Sequence, residues 1–203
     1  MEKLTIFGPE RFALRPDKQE VFKWLQCGEH LPCYSTFSDS WDQAVSMLQK
    51  CISPHVVMLR STDEAATVFI TLGPEAEAHV TELFEEQRYI AASLLNTLCD
   101  EMLFQMDGQA VALLEEALAP EGLHAASLQE PLVDLSPAEL LSHLEPLRSV
   151  FPYLNISRHG TLFPTKSMMY RVALTREGCG QSSLHDCSRC NQTTCLYRSS
   201  KKV

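Results

Sequence analysis

The chain predicts an α+β fold, and three observations carry that expectation. Two short β-branched segments, His55-Val-Val-Met-Leu-Arg60 and Ala66-Thr-Val-Phe-Ile-Thr-Leu72, follow each other across a polar step and read as neighbouring strands. Residues 75 to 118 read as almost continuous helix in two or three pieces. A second strand pair is expected near the end, so helices and strands come in runs rather than in regular alternation.

Taken in order, the first expected element is a short helix over residues 17 to 26. Asp17 is its cap, Val21, Phe22 and Leu25 form its apolar face, and Gly28 stops it. A second begins near Ser40, carries Trp41, Val45, Leu48 and Ile52 at helical spacing, and ends before Pro54. After the strand pair, Gly73-Pro74 breaks the pattern. Ala76, Val80, Leu83 and Phe84 then make one helical stripe, and Ile90, Leu94, Leu95, Leu98 and Met102 make a broader one. Residues 119 to 135 read as loop. Ser136-Pro-Ala-Glu139 is a capping-box pattern with proline in the first helical position, so a helix to about Leu147 should follow. Residues 154 to 163 and 168 to 174 read as two strands joined at Pro164-Thr-Lys-Ser167, and His159 before Gly160 as a plain turn.

Length and composition bound what this chain can be. At 203 residues it accommodates one domain with a sizeable core plus a small appendage, here residues 1–175 and a tail over 176–203. Apolar residues at 45% and charged residues at 21%, with only 8 Gly and 11 Pro, exclude a disordered or collagen-like chain. The net charge is −9, yet the tail holds five Lys or Arg against two acidic residues. The remainder is therefore strongly acidic, which argues against nucleic acid or an anionic membrane as partner. The first residues lack the apolar core of a signal peptide, and no window approaches the roughly 20 apolar residues of a membrane span, so a cytoplasmic location is expected.

The tail carries the most specific chemistry. Cys179, Cys187, Cys190 and Cys195 lie within seventeen positions, in a segment with little apolar material to fold around. In a reducing compartment such thiols point to a metal site, since the binding energy of the metal becomes folding energy for a small knuckle. The Cys187-x-x-Cys190 pair is the specific part, and His185 could replace one thiol. Zinc and an iron-sulfur cluster both suit four thiolates, the irregular spacing slightly favouring the cluster; a redox dithiol or a tail of free thiols is the alternative. Cys27, Cys33, Cys51 and Cys99 share no spacing and read as small buried hydrophobes, as do Met102, Met106, Met168 and Met169.

Several blocks carry a family resemblance. Ile70-Thr-Leu-Gly-Pro-Glu75 is followed by Ala78-His-Val-Thr-Glu-Leu-Phe-Glu-Glu86 and Tyr89-Ile-Ala-Ala-Ser-Leu-Leu-Asn96, with an acidic pair at Asp100 and Glu101. Pro164-Thr-Lys-Ser-Met168, the cysteine-rich ending with Cys195-Leu-Tyr-Arg198, and Glu20-Val-Phe-Lys-Trp-Leu25 fall in the matching order. Together they resemble the activation, or reactivation, domain of cobalamin-dependent methionine synthase in its short stand-alone form. The resemblance implies an elongated α+β domain with a bent antiparallel sheet flanked by helices. It also implies a corrinoid-binding protein or cobalamin-dependent methionine synthase as partner, methyl transfer from S-adenosylmethionine, and a positioning rather than a proton-transfer role.

One departure matters. The family's S-adenosylmethionine motif, Arg-x-x-x-Gly-Tyr, falls here on His124-Ala-Ala-Ser-Leu-Gln-Glu-Pro-Leu-Val-Asp134, which offers no Arg, Gly or Tyr. A ligand carboxylate would lose its cationic partner there. No residue is assigned to S-adenosylmethionine from that motif. The remaining cofactor-facing candidates are Glu101, as part of an acidic pair at a helix end that could face a corrinoid partner, and Lys166 with Ser167, which could meet phosphate or carboxylate. A solvated acidic face and a polar strand-joining turn are the plain readings of the same residues. No catalytic residue is assigned. The chain reads as an accessory domain of a methyltransferase rather than a self-sufficient enzyme, or alternatively as a protein-interaction module with a structural zinc knuckle. No phosphate loop, nucleophile elbow or zinc-protease helix is present in the sequence.

Overall fold

In the computed structural model, residues 3–60, 62–129 and 136–177 are described. Five strands form one antiparallel sheet. They are β1 (Lys3–Phe7), β2 (His55–Arg60), β3 (Ala65–Thr71), β4 (His124–Gln129) and β7 (Ser167–Thr175), in the spatial order β1-β2-β3-β7-β4. A separate small hairpin pairs β5 (Asn155–Ile156) with β6 (Leu162–Phe163) around Gly160, whose φ is +83°. The expected α+β class and the β2–β3 pair are therefore present.

Six α-helices flank the sheet among the described residues: α1 (Lys18–Trp24), α2 (Tyr34–Asp39), α3 (Trp41–Cys51), α4 (Pro74–Glu85), α5 (Tyr89–Leu118) and α6 (Pro137–Arg148). Strand alternation divides the core in two. Val56, Met58, Val68, Ile70, Tyr170 and Val172 face a large core built with α1, α3, α4 and α5. Val57, Phe69 and Met169 lie side by side across β2, β3 and β7 and face the other way, where Leu140, Leu144 and Leu147 of α6 cover them together with Phe151 and Leu154. Each of those α6 leucines is buried. A single α6 leucine-to-alanine change would forfeit about 2–5 kcal/mol, because the site cannot collapse onto a neighbouring helix.

The local signals behave as their chemistry requires. The Asp17 carboxylate accepts from Gln19 and Glu20 N–H at the start of α1, and Ser136 and Glu139 close a reciprocal capping box on α6. α1 stops short of the expected Gln26, and Gly28 is not what stops it. It ends at Trp24 in a Schellman turn, with Cys27 N–H donating to Phe22 C=O and Gln26 N–H to Lys23 C=O, and Gln26 takes the left-handed residue at φ +53°.

Two elements have no counterpart in the sequence expectations, and two expectations need correction. Residues 3–7 form β1, a short edge strand. Residues 34–39 form α2, although they lack a helical stripe. Part of the expected 119–135 loop is β4, whose Ala-Ala-Ser composition carries little β-propensity and which is held by pairing with β7. Finally, α5 is one uninterrupted helix of 30 residues, so Asp100 and Glu101 lie inside it rather than at a helix end. They do not form a solvated face, since Glu101 is 4% exposed.

Candidate functional site

The sheet's two ends differ. At one end β2 begins, β3 finishes and β7 begins, with His55 opposite Thr71 and Thr71 opposite Ser167. The connections there are dense in polar contacts. Leu72 N–H donates to Lys166 C=O at 3.0 Å, and Ser53 N–H donates to Leu72 C=O at 2.7 Å. The buried Thr71 hydroxyl accepts from Gly73 N–H at 3.1 Å and from the Ser167 hydroxyl at 2.9 Å. Thr165 N–H reaches the Glu77 carboxylate of α4 at 2.7 Å.

Gly73 makes the turn from β3 into α4. Its φ of +85° and ψ of 167° lie in a region that is essentially glycine-only, and a Cβ would stand 3.2 Å from Glu75 Oε2 and 3.3 Å from Ser53 Cβ. This is the physical reason for glycine in the Thr71-Leu72-Gly73 block.

Lys166 is 8% exposed, and its ammonium donates to Asp100 Oδ1 of α5 at 2.5 Å. The pair sits beside Cys99, whose thiol burial pushes up to about 12. Glu101, the next residue of α5, points elsewhere. Its carboxylate accepts from Asp17 N–H at 3.1 Å and from Gln105 Nε2 at 2.6 Å, tying the start of α1 to α5. Burial raises it to about 7 against the pull of those two hydrogen bonds. Thus Lys166 and Ser167 belong to one locus and Glu101 to another, and all three have protein partners.

Beside that locus is a cavity of about 280 Å³ lined by Lys50, Cys51, Ser53, His55, Glu75 and Tyr153, among others. His55 Nδ1 donates to Ser53 C=O at 2.9 Å, because a carbonyl can only accept; this leaves Nε2 as the acceptor in the neutral ring. The His55 ring stacks edge-on to Phe151 at 5.3 Å, and Phe151 in turn on Tyr153 at 5.8 Å. Burial, then the Glu75 charge, pushes the Tyr153 phenol up to about 12, so it remains a hydrogen-bond donor at neutral pH. The cavity therefore presents an imidazole acceptor, a phenol donor, a carboxylate and an ammonium to a small polar ligand. Sequence reading passed over His55, Glu75 and Tyr153, since they share no spacing; the signal at hand was Gly73-Pro74 opening a helix immediately after a strand.

The tail cysteines Cys179, Cys187, Cys190 and Cys195 lie outside the described residues. Among the described residues no group of three or more His, Cys, Asp or Glu side chains is arranged to hold a metal ion. No helix among them is long and apolar enough to cross a membrane. Cys27, Cys51 and Cys99 are buried as expected, whereas Cys33 is exposed. No protein-family model matches this chain, and no curated protein matches it.

Proposed function

We propose that this chain is an accessory protein of corrinoid methyl transfer, supporting reductive reactivation or methyl transfer on a corrinoid-binding partner such as a cobalamin-dependent methionine synthase. One observation supports the reading. Three blocks of the resemblance that are far apart in sequence, Thr71-Leu72-Gly73, Asp100 and Pro164-Thr-Lys-Ser167, lie against one another through the Ser167–Thr71, Leu72–Lys166 and Lys166–Asp100 contacts. A family motif set that forms one physical locus is a stronger signal than its separate pieces.

S-adenosylmethionine does not fit the expected place. Residues 124–129 are strand β4, an edge of the sheet, and the segment supplies no guanidinium to meet the ligand's carboxylate. No step is therefore routed through that ligand. In this reading the four tail thiolates hold zinc or an iron-sulfur cluster, and a cluster would give the protein an electron to pass to the partner's cobalt.

The test uses a cobalamin-dependent methionine synthase that lacks its own activation domain, trapped with cobalt(II). Adding this chain and a reductant should accelerate loss of the cobalt(II) absorbance. No acceleration, together with no measurable binding to the corrinoid partner, would overturn the proposal. Iron, sulfide and zinc analysis after anaerobic purification decides the electron-transfer part, since stoichiometric zinc without iron removes it.

A second reading, a non-enzymatic protein-interaction module with a structural zinc knuckle, is favoured by a different fact. Lys166, Ser167 and Glu101 are each satisfied by Asp100, Thr71 and by Asp17 with Gln105, as structural polar groups usually are. Calorimetric titration with S-adenosylmethionine tests the altered motif: micromolar binding would contradict its loss.

A further inference from the structure

Two cysteines that share no sequence motif come together at the turn between α1 and α2. Cys27 Sγ and Cys33 Sγ are 3.6 Å apart, and the positions of both are set by backbone hydrogen bonds. Cys27 closes the Schellman turn of α1 through its bond to Phe22 C=O. Cys33 is held from the other side by Tyr34 N–H donating to Leu31 C=O and Phe37 N–H donating to Cys33 C=O. The segments are further fixed by one aromatic cluster, with Phe22 packed edge-on against Tyr34, Phe37 and Trp41 at 5.3, 6.4 and 6.0 Å. A disulfide requires the two sulfurs to close by only about 1.5 Å, within reach of a side-chain rotation at the exposed Cys33.

Access is asymmetric. Cys33 is exposed, whereas Cys27 is 4% exposed. Cys27 nevertheless lines an open cleft of about 780 Å³ together with Lys18, Phe22, His30 and Tyr34. One sulfur is thus open to a reagent from solution, and the second waits behind it. That is the arrangement of an attacking and a resolving thiol.

We propose that Cys27 and Cys33 form a reversible dithiol–disulfide centre that exchanges with a low-molecular-weight thiol–disulfide couple. The Cys33 thiolate attacks one sulfur of the small disulfide, forming the mixed disulfide and releasing one small thiolate. The Cys27 thiolate then attacks Cys33 Sγ, forming the Cys27–Cys33 bond and releasing the second. The protein loses two thiol protons and two electrons, and the small disulfide gains both to become two thiols. Burial, and then the adjacent Cys33 sulfur, hold the Cys27 thiol above its ordinary range, which disfavours Cys27 as the first nucleophile and leaves that step to the exposed Cys33. The proposal involves none of the tail cysteines and does not depend on the corrinoid reading.

The test equilibrates the full chain in glutathione buffers of graded oxidised fraction, quenches with acid, alkylates the free thiols and cleaves after Glu29, which lies between the two cysteines. Mass spectrometry should then find the two cysteine peptides joined, in a proportion that rises with oxidised glutathione and reverses with excess thiol. C33S should abolish the link. C27S should instead trap glutathione on Cys33, while C51S should leave the link unchanged. Two results would overturn the proposal: a pair that remains dithiol across the whole series, or wild-type protein that accumulates glutathione on Cys33 without joining to Cys27.

Discussion

The two ends of the sheet each bury one cation but pair it differently. At the end where β3 runs into α4, Lys166 and Asp100 are withdrawn from water, with side chains 10% and 16% exposed, and the turn needs a glycine-only conformation at Gly73. At the other end, Lys3 bonds Glu121 at 2.5 Å, Arg60 bonds both Glu121 and Asp63, and Arg176 bonds Asp63 at 2.8 Å; the Arg60 guanidinium is buried there, but each of its partners is at least 35% exposed. Exposed ion pairs contribute little and are screened by salt, whereas breaking a buried one leaves an uncompensated charge. The solvent-facing end closes the sheet. The buried end is shaped by that ion pair and by the Gly73 turn, which lie beside the cavity.

The largest effect should follow from K166M, which takes the Lys166 ammonium away from the part-buried Asp100 carboxylate. It should lower the unfolding free energy by about 3–5 kcal/mol in urea denaturation. The double variant K166M/D100N should recover much of this, because neither partner is then charged. A single variant that loses less than about 1 kcal/mol would place the pair among ordinary surface ion pairs and dissolve the contrast between the ends.

That pair also shows where sequence reading stops. His55 to Arg60 and Ala66 to Leu72 were legible because a buried strand needs contiguous β-branched residues, and the Ser136–Glu139 box because capping is local chemistry. The Lys166–Asp100 contact spans 66 positions, so nothing in the local spacing announces it. Asp100 and Glu101 read as solvent-facing because acidic neighbours usually are; on a helix they diverge by about 100°, and here one turns to Lys166 and the other to Asp17. β4 was hidden for the opposite reason, since its residues are poor strand formers and distant partners recruit them, β7 by pairing and the Glu115 carboxylate of α5 by accepting from Ala125 N–H.

Glu101 supplies a pH test at the α1–α5 junction. Its ordinary value is 4.5 and its folded value about 7, so the folded state holds the proton more tightly. Stability should therefore fall as pH rises through that window, by up to about 3 kcal/mol when the carboxylate is fully ionised. E101Q removes the titrating group and should flatten the profile between about pH 5 and about pH 8, measured by denaturation across the range. A wild-type profile that rises with pH over that range would mean Glu101 is ionised without penalty.

Gly73 comes next in magnitude. G73A must either adopt a conformation closed to alanine or move the Thr71 to Pro74 turn, at about 1–3 kcal/mol. The control is Gly122 at the other end, where φ is +64°, ψ is 33° and a Cβ would meet nothing within 4 Å. Asparagine tolerates that left-handed region, so G122N should be nearly silent. Equal losses for the two variants would deny the α4 end its special backbone.

The smallest effect is expected at Glu121, and its response to salt is what matters. Hydrogen bonds from Lys3 and then Arg60 hold its carboxyl below the usual carboxylate range, so what it contributes is present above that range and lost as pH falls through it. Those partners are shared, however, and Arg60 retains Asp63 at 2.9 Å when Glu121 is neutralised. E121Q should therefore lower the melting temperature slightly at low ionic strength and not at all at about 1 M salt, where the screening length shrinks to about 3 Å. K166M should keep its full penalty in the same salt, because ions do not enter the buried pair. Penalties that fall together with added salt would show that both ends are wet, and the distinction between a shaped end and a closing end would have to be abandoned.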